Sequence, residues 1–125
     1  MAGDHGPAAE LAGAAARAAA DKLGVDTVVL EVGDVLSITE FFVITSGANA
    51  RQVRTIVDEV ERCVAELGAR PAAVEGLDQA SWVLVDYGSF VVHVFLQETR
   101  DYYQLERLWA DVPRLDWRAA APAGA

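Results

Sequence analysis

Two acids, Asp34 and Asp86, stand at the ends of apolar runs in this 125-residue chain and are the first residues to test for chemistry. A close pair of carboxylates on one strand can hold a divalent ion against a triphosphate and so support phosphoryl or nucleotidyl transfer. Here the two acids are separate and no Asp-x-Asp falls on a predicted strand, so no metal site is expected. Gly47, between a strand and a helix, could let backbone N–H groups approach a phosphate, but a single glycine reads more simply as a turn. His93 lies within VVHVF, where a histidine on a central strand could be a base or a ligand. The plainer expectation is a core residue with its ring nitrogens satisfied by neighbours. Cys63 sits on an acid-rich helix with no cation placed to lower its pKa, and reads as packing.

Binding is a better prospect than turnover. Asp86 reads first as a turn-former whose side chain accepts from nearby backbone N–H groups. Tyr87 at the turn tip and Trp82 at the start of the same run are large amphipathic side chains of the kind that anchor interfaces. Tyr102 and Tyr103 carry the same ambiguity between surface and core.

These residues have to be positioned by the stretch at 82–95, WVLVDYGSFVVHVF, which reads as two strands joined by a tight turn. Its apolar residues are partly consecutive rather than strictly alternating, so both faces of the pair should be covered, near the centre of a sheet. Residues 8–23 are alanine-rich and predict a helix stopped by Gly24. TVVLEV at 27–32 and FFVIT at 41–45 predict strands. Asn49 is a suitable N-cap for the clearest helix, in which Val53, Ile56, Val57, Val60, Val64 and Leu67 recur at helical spacing until Gly68. Pro71 limits any strand at 69–74 to a sheet edge. Thr99 is expected to cap a last helix with Leu105, Leu108, Trp109 and Val112 as its core stripe, ended by Pro113.

The length suits one domain able to bury a core without disulfide or metal, with 1–7 and 118–125 expected to be disordered flanks of a domain at 8–117. One cysteine excludes an internal disulfide and favours a reducing cytoplasm. No apolar run approaches the roughly 18 residues of a membrane span. Ten basic against nineteen acidic residues leave a formal charge of −9. That charge repels phosphate backbones and suits a basic protein partner.

The motifs DTVVLEV, SITEFFVITSG, RQV, WVLVDYGSFVVHVF and YQLERLW resemble, in order and spacing, the ribosomal silencing factor family, also called Iojap-like. The likeness runs from about Ala8 to Val112. It implies an α/β fold with a mixed sheet of about five strands and helices on both faces, like that of nucleotidyltransferases but without their catalytic acids. It also implies no catalysis and no cofactor. The implied partner is the large ribosomal subunit, through the fourteenth protein of its series, on the face that meets the small subunit. Occupying that face would prevent subunit joining and repress translation under nutrient limitation. The family's contact surface includes the tryptophan and the aromatic of the hairpin, here Trp82 and Tyr87, so that with Asp86, Gly88 and Ser89 of the same turn they are the residues expected to bind the partner; the free protein is implied to be a homodimer. Ser89 departs from the usual acid of DYGD, removing one salt bridge worth about 0–1 kcal/mol if exposed. Glu40 and Phe41 stand where Asp-Tyr is usual, and Ser81 where glycine is common. Two other readings compete: a magnesium-dependent nucleotidyltransferase-like enzyme using Asp34, Asp86 and the Gly47 turn, and a dimeric scaffold whose aromatics serve only self-association.

Overall fold

The apolar runs beginning at Phe41 and Phe90 lie side by side and parallel in the middle of the protein, and the other elements are arranged about them. The computed structural model describes residues 6–119. In chain order it contains α1 (Gly6–Asp21), β1 (Val25–Glu31), β2 (Phe41–Gly47), α2 (Ala50–Glu66), β3 (Ala73–Glu75), β4 (Trp82–Asp86), β5 (Phe90–Leu96), α3 (Gln97–Tyr103), α4 (Leu105–Leu108) and β6 (Arg114–Leu115). The sheet order is β3-β4-β5-β2-β1-β6, antiparallel throughout except for the central β2–β5 pair. This is the mixed α/β architecture expected, with six strands rather than about five. The additional strand, β6, has two residues, too few to show any periodicity. β3 is an edge strand, as Pro71 implied.

α2 forms where the pattern placed it. Asn49 Oδ1 accepts from the Gln52 N–H at 2.8 Å, and Val53, Ile56, Val57, Val60 and Val64 are fully buried. Past the helix, Gly68 takes φ +94°, a left-handed conformation that favours glycine. α1 buries small side chains, Ala12, Ala15, Ala16 and Ala19 among them, which allows a close approach to its neighbours. Its end differs from expectation. Leu23, not Gly24, adopts the left-handed backbone (φ 65°), whereas Gly24 is needed because a Cβ there would collide with Thr45 Oγ1 and the Ala19 carbonyl.

The two faces of the sheet are unequally covered. α1 and α2 seal one face over Val29, Val43, Val83, Val85, Phe90 and Val92. On the other face Leu105, Trp109 and Val112 pack with the smaller cluster of Leu30, Val32, Ile44 and Phe95, and Trp109 also meets Phe42 edge-on at 5.5 Å. The helix expected to carry that stripe is broken in two at Gln104, which has φ 49° and ψ 52°. Thr99 does not cap it: α3 follows directly on β5 with Leu96 at its N-cap, and Thr99 lies inside the helix. Leu108 is 78% exposed, and α4 ends there rather than at Pro113.

The break brings α4 to Arg100. Its guanidinium, 5% exposed, donates to the carbonyls of Val25 and Asp26, to Ser46 Oγ and to Glu106 at 2.7–3.1 Å. Glu106 lies in the first turn of α4 and can reach Arg100 because the chain turns at Gln104.

Trp117 closes the other edge. It is 6% exposed, packs into the larger core cluster and donates from Nε1 to the Thr27 carbonyl at 3.0 Å, while its own carbonyl accepts from Arg17. Gly6 and Pro7 begin α1. The remaining residues of the two expected disordered flanks, 1–5 and 120–125, lie outside the described residues, as against Arg118 and Ala119. Removing the Trp117 side chain leaves a cavity against α1 and an unpaired Thr27 carbonyl, so Trp117→Ala should lower unfolding free energy by about 3 kcal/mol or more in a urea titration.

Candidate functional site

In β4 the side chains alternate, with Val83 and Val85 buried under the long helices. Trp82, Leu84 and Asp86 therefore point to the less covered face. Tyr87 continues the alternation toward the helices: it packs against the larger core cluster and stacks on Phe90 with ring centroids 4.6 Å apart and planes 12° apart. Its hydroxyl is buried without a partner, and burial, with Glu61 adding, pushes its pKa up to about 12. Trp82 and Tyr87, expected side by side on one surface, thus lie on opposite faces of the sheet, because five positions separate them and a strand's period is two.

The turn is built by the residue types foreseen for it. Asp86 Oδ1 accepts from the Gly88 N–H at 2.8 Å, and Gly88 has φ +83°. The Tyr87 N–H donates to the Phe90 carbonyl, and the Ser89 carbonyl accepts from the Glu40 N–H at 2.8 Å. The last bond joins the hairpin turn to the loop between β1 and β2, which no periodicity in the sequence would link.

Trp82 is half-buried, with its ring 4.8 Å from Phe95 and 5.2 Å from Tyr103. Its indole Nε1–H donates to His93 Nδ1 at 3.2 Å. With Nδ1 accepting, the proton of the neutral imidazole sits on Nε2. Nε2 is buried and has no partner. The expectation that both ring nitrogens are satisfied is met at Nδ1 and corrected at Nε2, because its ring neighbour Phe42 (4.7 Å) and its register partners Leu84 and Ile44 are not hydrogen-bonding side chains. Burial pulls the His93 pKa down to about 4 and keeps the ring neutral near pH 7.

Beside this pair the sheet is open. A shallow groove of about 410 Å³ runs between Leu36 and Ile38 of the β1–β2 loop and Phe42, Leu84 and Val91 of the strands, with Asp86 as its one charged lining residue. Trp82 borders the same face. Three of the five hairpin residues expected to bind a partner, Trp82, Asp86 and Gly88, lie on or at the rim of this face, Ser89 is half-buried in the turn with its carbonyl on the Glu40 N–H, and Tyr87 buttresses the turn from behind.

The residues of the enzymatic reading are not brought together. Asp34 lines a small hollow with Glu31 and Glu40, separate from the groove that holds Asp86. Among the described residues no group of three or more His, Cys, Asp or Glu is placed to hold a metal. Gly47 is at the opposite end of β2, where a Cβ would press at 3.3 Å on Gln52 and Val53. The N-terminus of α2 is closed by its own side chains, Asn49 accepting from the Gln52 N–H and Gln52 Oε1 from the Ala48 N–H at 2.7 Å. Cys63 is a half-buried packing residue whose pKa is raised by burial and by Glu59. Arg100 and Trp117, which hold the partial cover and the sheet edge in place, were not singled out by sequence reasoning. An arginine in an otherwise acidic segment was the one available signal for the first.

A family model described as "Ribosomal silencing factor during starvation" matches residues 5–124. The Ribosomal silencing factor RsfS of Bacillus subtilis (strain 168) is 40% identical over 102 residues, 82% of this chain and 86% of that protein. The RsfS of Halalkalibacterium halodurans is 39% identical over 107 residues, 86% and 92% of the two chains. Among solved structures, Protein CV0518 from Chromobacterium violaceum superimposes with a TM-score of 0.78 at 35% identity, covering 81% of this chain and 84% of the other.

The buried imidazole makes stability depend on pH. Its folded pKa near 4 lies below the ordinary 6.5, so between these values the unfolded chain binds the extra proton. The contribution is complete above about pH 6.5 and is lost as pH falls toward 4, by roughly 3 kcal/mol in all. Denaturant titrations at pH 7.5 and 4.5 should show a smaller acid loss for His93→Gln than for the parent; equal losses would place the titration elsewhere.

Proposed function

The chain belongs to the ribosomal silencing factor family, and from that premise we propose that it binds the large ribosomal subunit through the fourteenth protein of that subunit. Bound there, it blocks joining of the small subunit and represses translation when nutrients are scarce. The observation that carries this reading is the uncovered apolar half of the sheet beside the hairpin, in a chain of net charge −9. Such a surface suits a basic protein better than bare RNA, whose phosphates it would repel. A standard interface of about 800 Å² per partner is enough to exclude a second large body from the same place. Occupancy alone performs the task, and no chemical step is required of Asp34, Asp86 or His93.

In this reading Trp82 is the central anchor, while Asp86 supplies a carboxylate at the rim. Gly88 and Ser89 present the backbone of the turn, and Tyr87 holds that turn in shape by stacking on Phe90. His93 fixes the indole through its Nδ1, so the anchor meets its partner in a preset orientation.

The test is co-sedimentation with isolated large subunits. The parent protein should pellet with large and not with small subunits. Trp82→Ala should weaken that binding about 30-fold, the equivalent of roughly 2 kcal/mol for an anchor residue. Because Trp82 also packs on Phe95, binding is to be read at a temperature where circular dichroism shows the variant folded. A parent that stays in the supernatant, or a folded variant that binds as well as the parent, would contradict the proposal.

A further inference from the structure

We infer that the cavity at the free edge of β1 is a binding site for a phosphorylated small molecule that carries hydroxyl groups, a sugar phosphate or a nucleotide. It lies toward the opposite edge of the sheet from the hairpin, separated from β4 by β5 and β2, and its occupancy requires no ribosome.

The short β6 makes room for it. β6 pairs in register with Val29 and Leu30 alone, so the start of β1, from Asp26 to Val28, has no strand neighbour on that side among the described residues. The gap is a cavity of about 440 Å³ between the end of α1, the partial cover at Arg100 and Glu106, and the C-terminal segment with Arg114, Trp117 and Arg118. That volume falls within the range of small-molecule sites, about 300–1,000 Å³. Its walls are held in place by long-range bonds: the Trp117 indole donates to the Thr27 carbonyl, and Arg100 donates to the carbonyls of Val25 and Asp26.

The charges around the cavity name the ligand. Three of the chain's ten basic residues line it, in a protein whose net charge is −9. Arg100 is already committed, since its N–H groups go to backbone carbonyls and Ser46 and its charge is matched by Glu106. Arg114 and Arg118 are exposed and have no carboxylate partner among the described residues. The Arg118 guanidinium lies 4.3 Å over the Trp117 ring, which restrains its planar fork. Guanidinium groups grip phosphate oxygens through paired, charge-assisted hydrogen bonds, and two of them share this hollow. Most of the acidic surface repels an anion, so the two free arginines give it one favoured place to settle. Asp26 is the remaining unmatched charge of the lining and is exposed. Its carboxylate opposes a bare anion but accepts from a hydroxyl. A molecule that turns a phosphate to the arginines and a sugar hydroxyl to Asp26 satisfies both signs; inorganic phosphate satisfies one.

The experiment titrates the full chain, by isothermal calorimetry and by melting temperature, with ribose 5-phosphate, adenosine 5′-monophosphate and inorganic phosphate. At least one of the first two should bind saturably with a dissociation constant below about 1 mM, at least about fivefold tighter than inorganic phosphate, and raise the melting temperature. Tighter binding of the adenosine compound would assign the site to a nucleotide, and equal binding to the sugar phosphate they share. Joint replacement, Arg114→Gln with Arg118→Gln, should weaken binding at least about tenfold, whereas Arg51→Gln on α2 should leave it within about twofold. Arg114→Gln alone keeps the Arg118–Trp117 contact and should still weaken binding about threefold or more, which guards against a double variant that folds poorly. Asp26→Asn should narrow the preference over inorganic phosphate. No binding of any of the three, inorganic phosphate bound as tightly as the sugar phosphates, or affinity unchanged in a folded arginine variant would overturn the inference.

Discussion

The structure depends on the parallel pairing of β2 with β5. Seven consecutive residue pairs, from Phe41 with Phe90 to Gly47 with Leu96, set the two strands in one direction. Parallel neighbours cannot be joined by a tight turn and need a crossover. That crossover is α2 followed by β3 and β4, so it lays a long helix on one face and returns the chain on the sheet's far side. A second consequence concerns function. Both central strands start at the same end, which brings the loop before β2 against the turn before β5 and closes the Glu40–Ser89 hydrogen bond. The groove is made from these two segments, which are about fifty residues apart in the chain.

Much of this could be read from residue types. The strands at 27–32 and 41–45, the hairpin, the edge strand and the helix after Asn49 were all predictable, because each has a period or a cap with a local physical cause. Asp86 as turn-former was legible for the same reason: its carboxylate needs only a backbone N–H two residues on. The family resemblance was legible in motif order across most of the chain, and the match over residues 5–124 agrees with it.

Long-range constraints were not legible. The break at Gln104 carries no glycine or proline; it lets Glu106 reach Arg100, which ties α3 to the carbonyls of Val25 and Asp26, residues that only the folded sheet brings near. Trp117 lies past a proline in a segment with little apolar bulk, and its burial depends on the Thr27 carbonyl ninety residues earlier. The separation of Trp82 from Tyr87 was in principle readable from strand alternation. It was obscured by treating Tyr87 as a turn tip, whereas its side chain keeps the strand's parity and stacks on Phe90. The consecutive apolar residues of β4 and β5 suggested two covered faces. One is covered by helices, and half of the other is left open as the surface most suited to a partner.

The sheet exposes one apolar, acid-rimmed face, and among the described residues no group of three or more His, Cys, Asp or Glu is placed to hold a metal. A protein that acts by filling a place must be supplied in proportion to the places it fills, whereas an enzyme need not be. Titrating the protein into purified small and large subunits, with joined ribosomes read by light scattering, tests this most directly. Joining should fall linearly and reach its floor at one protein per large subunit. Complete inhibition at a small fraction of that ratio, or joined ribosomes that still carry the protein, would contradict it.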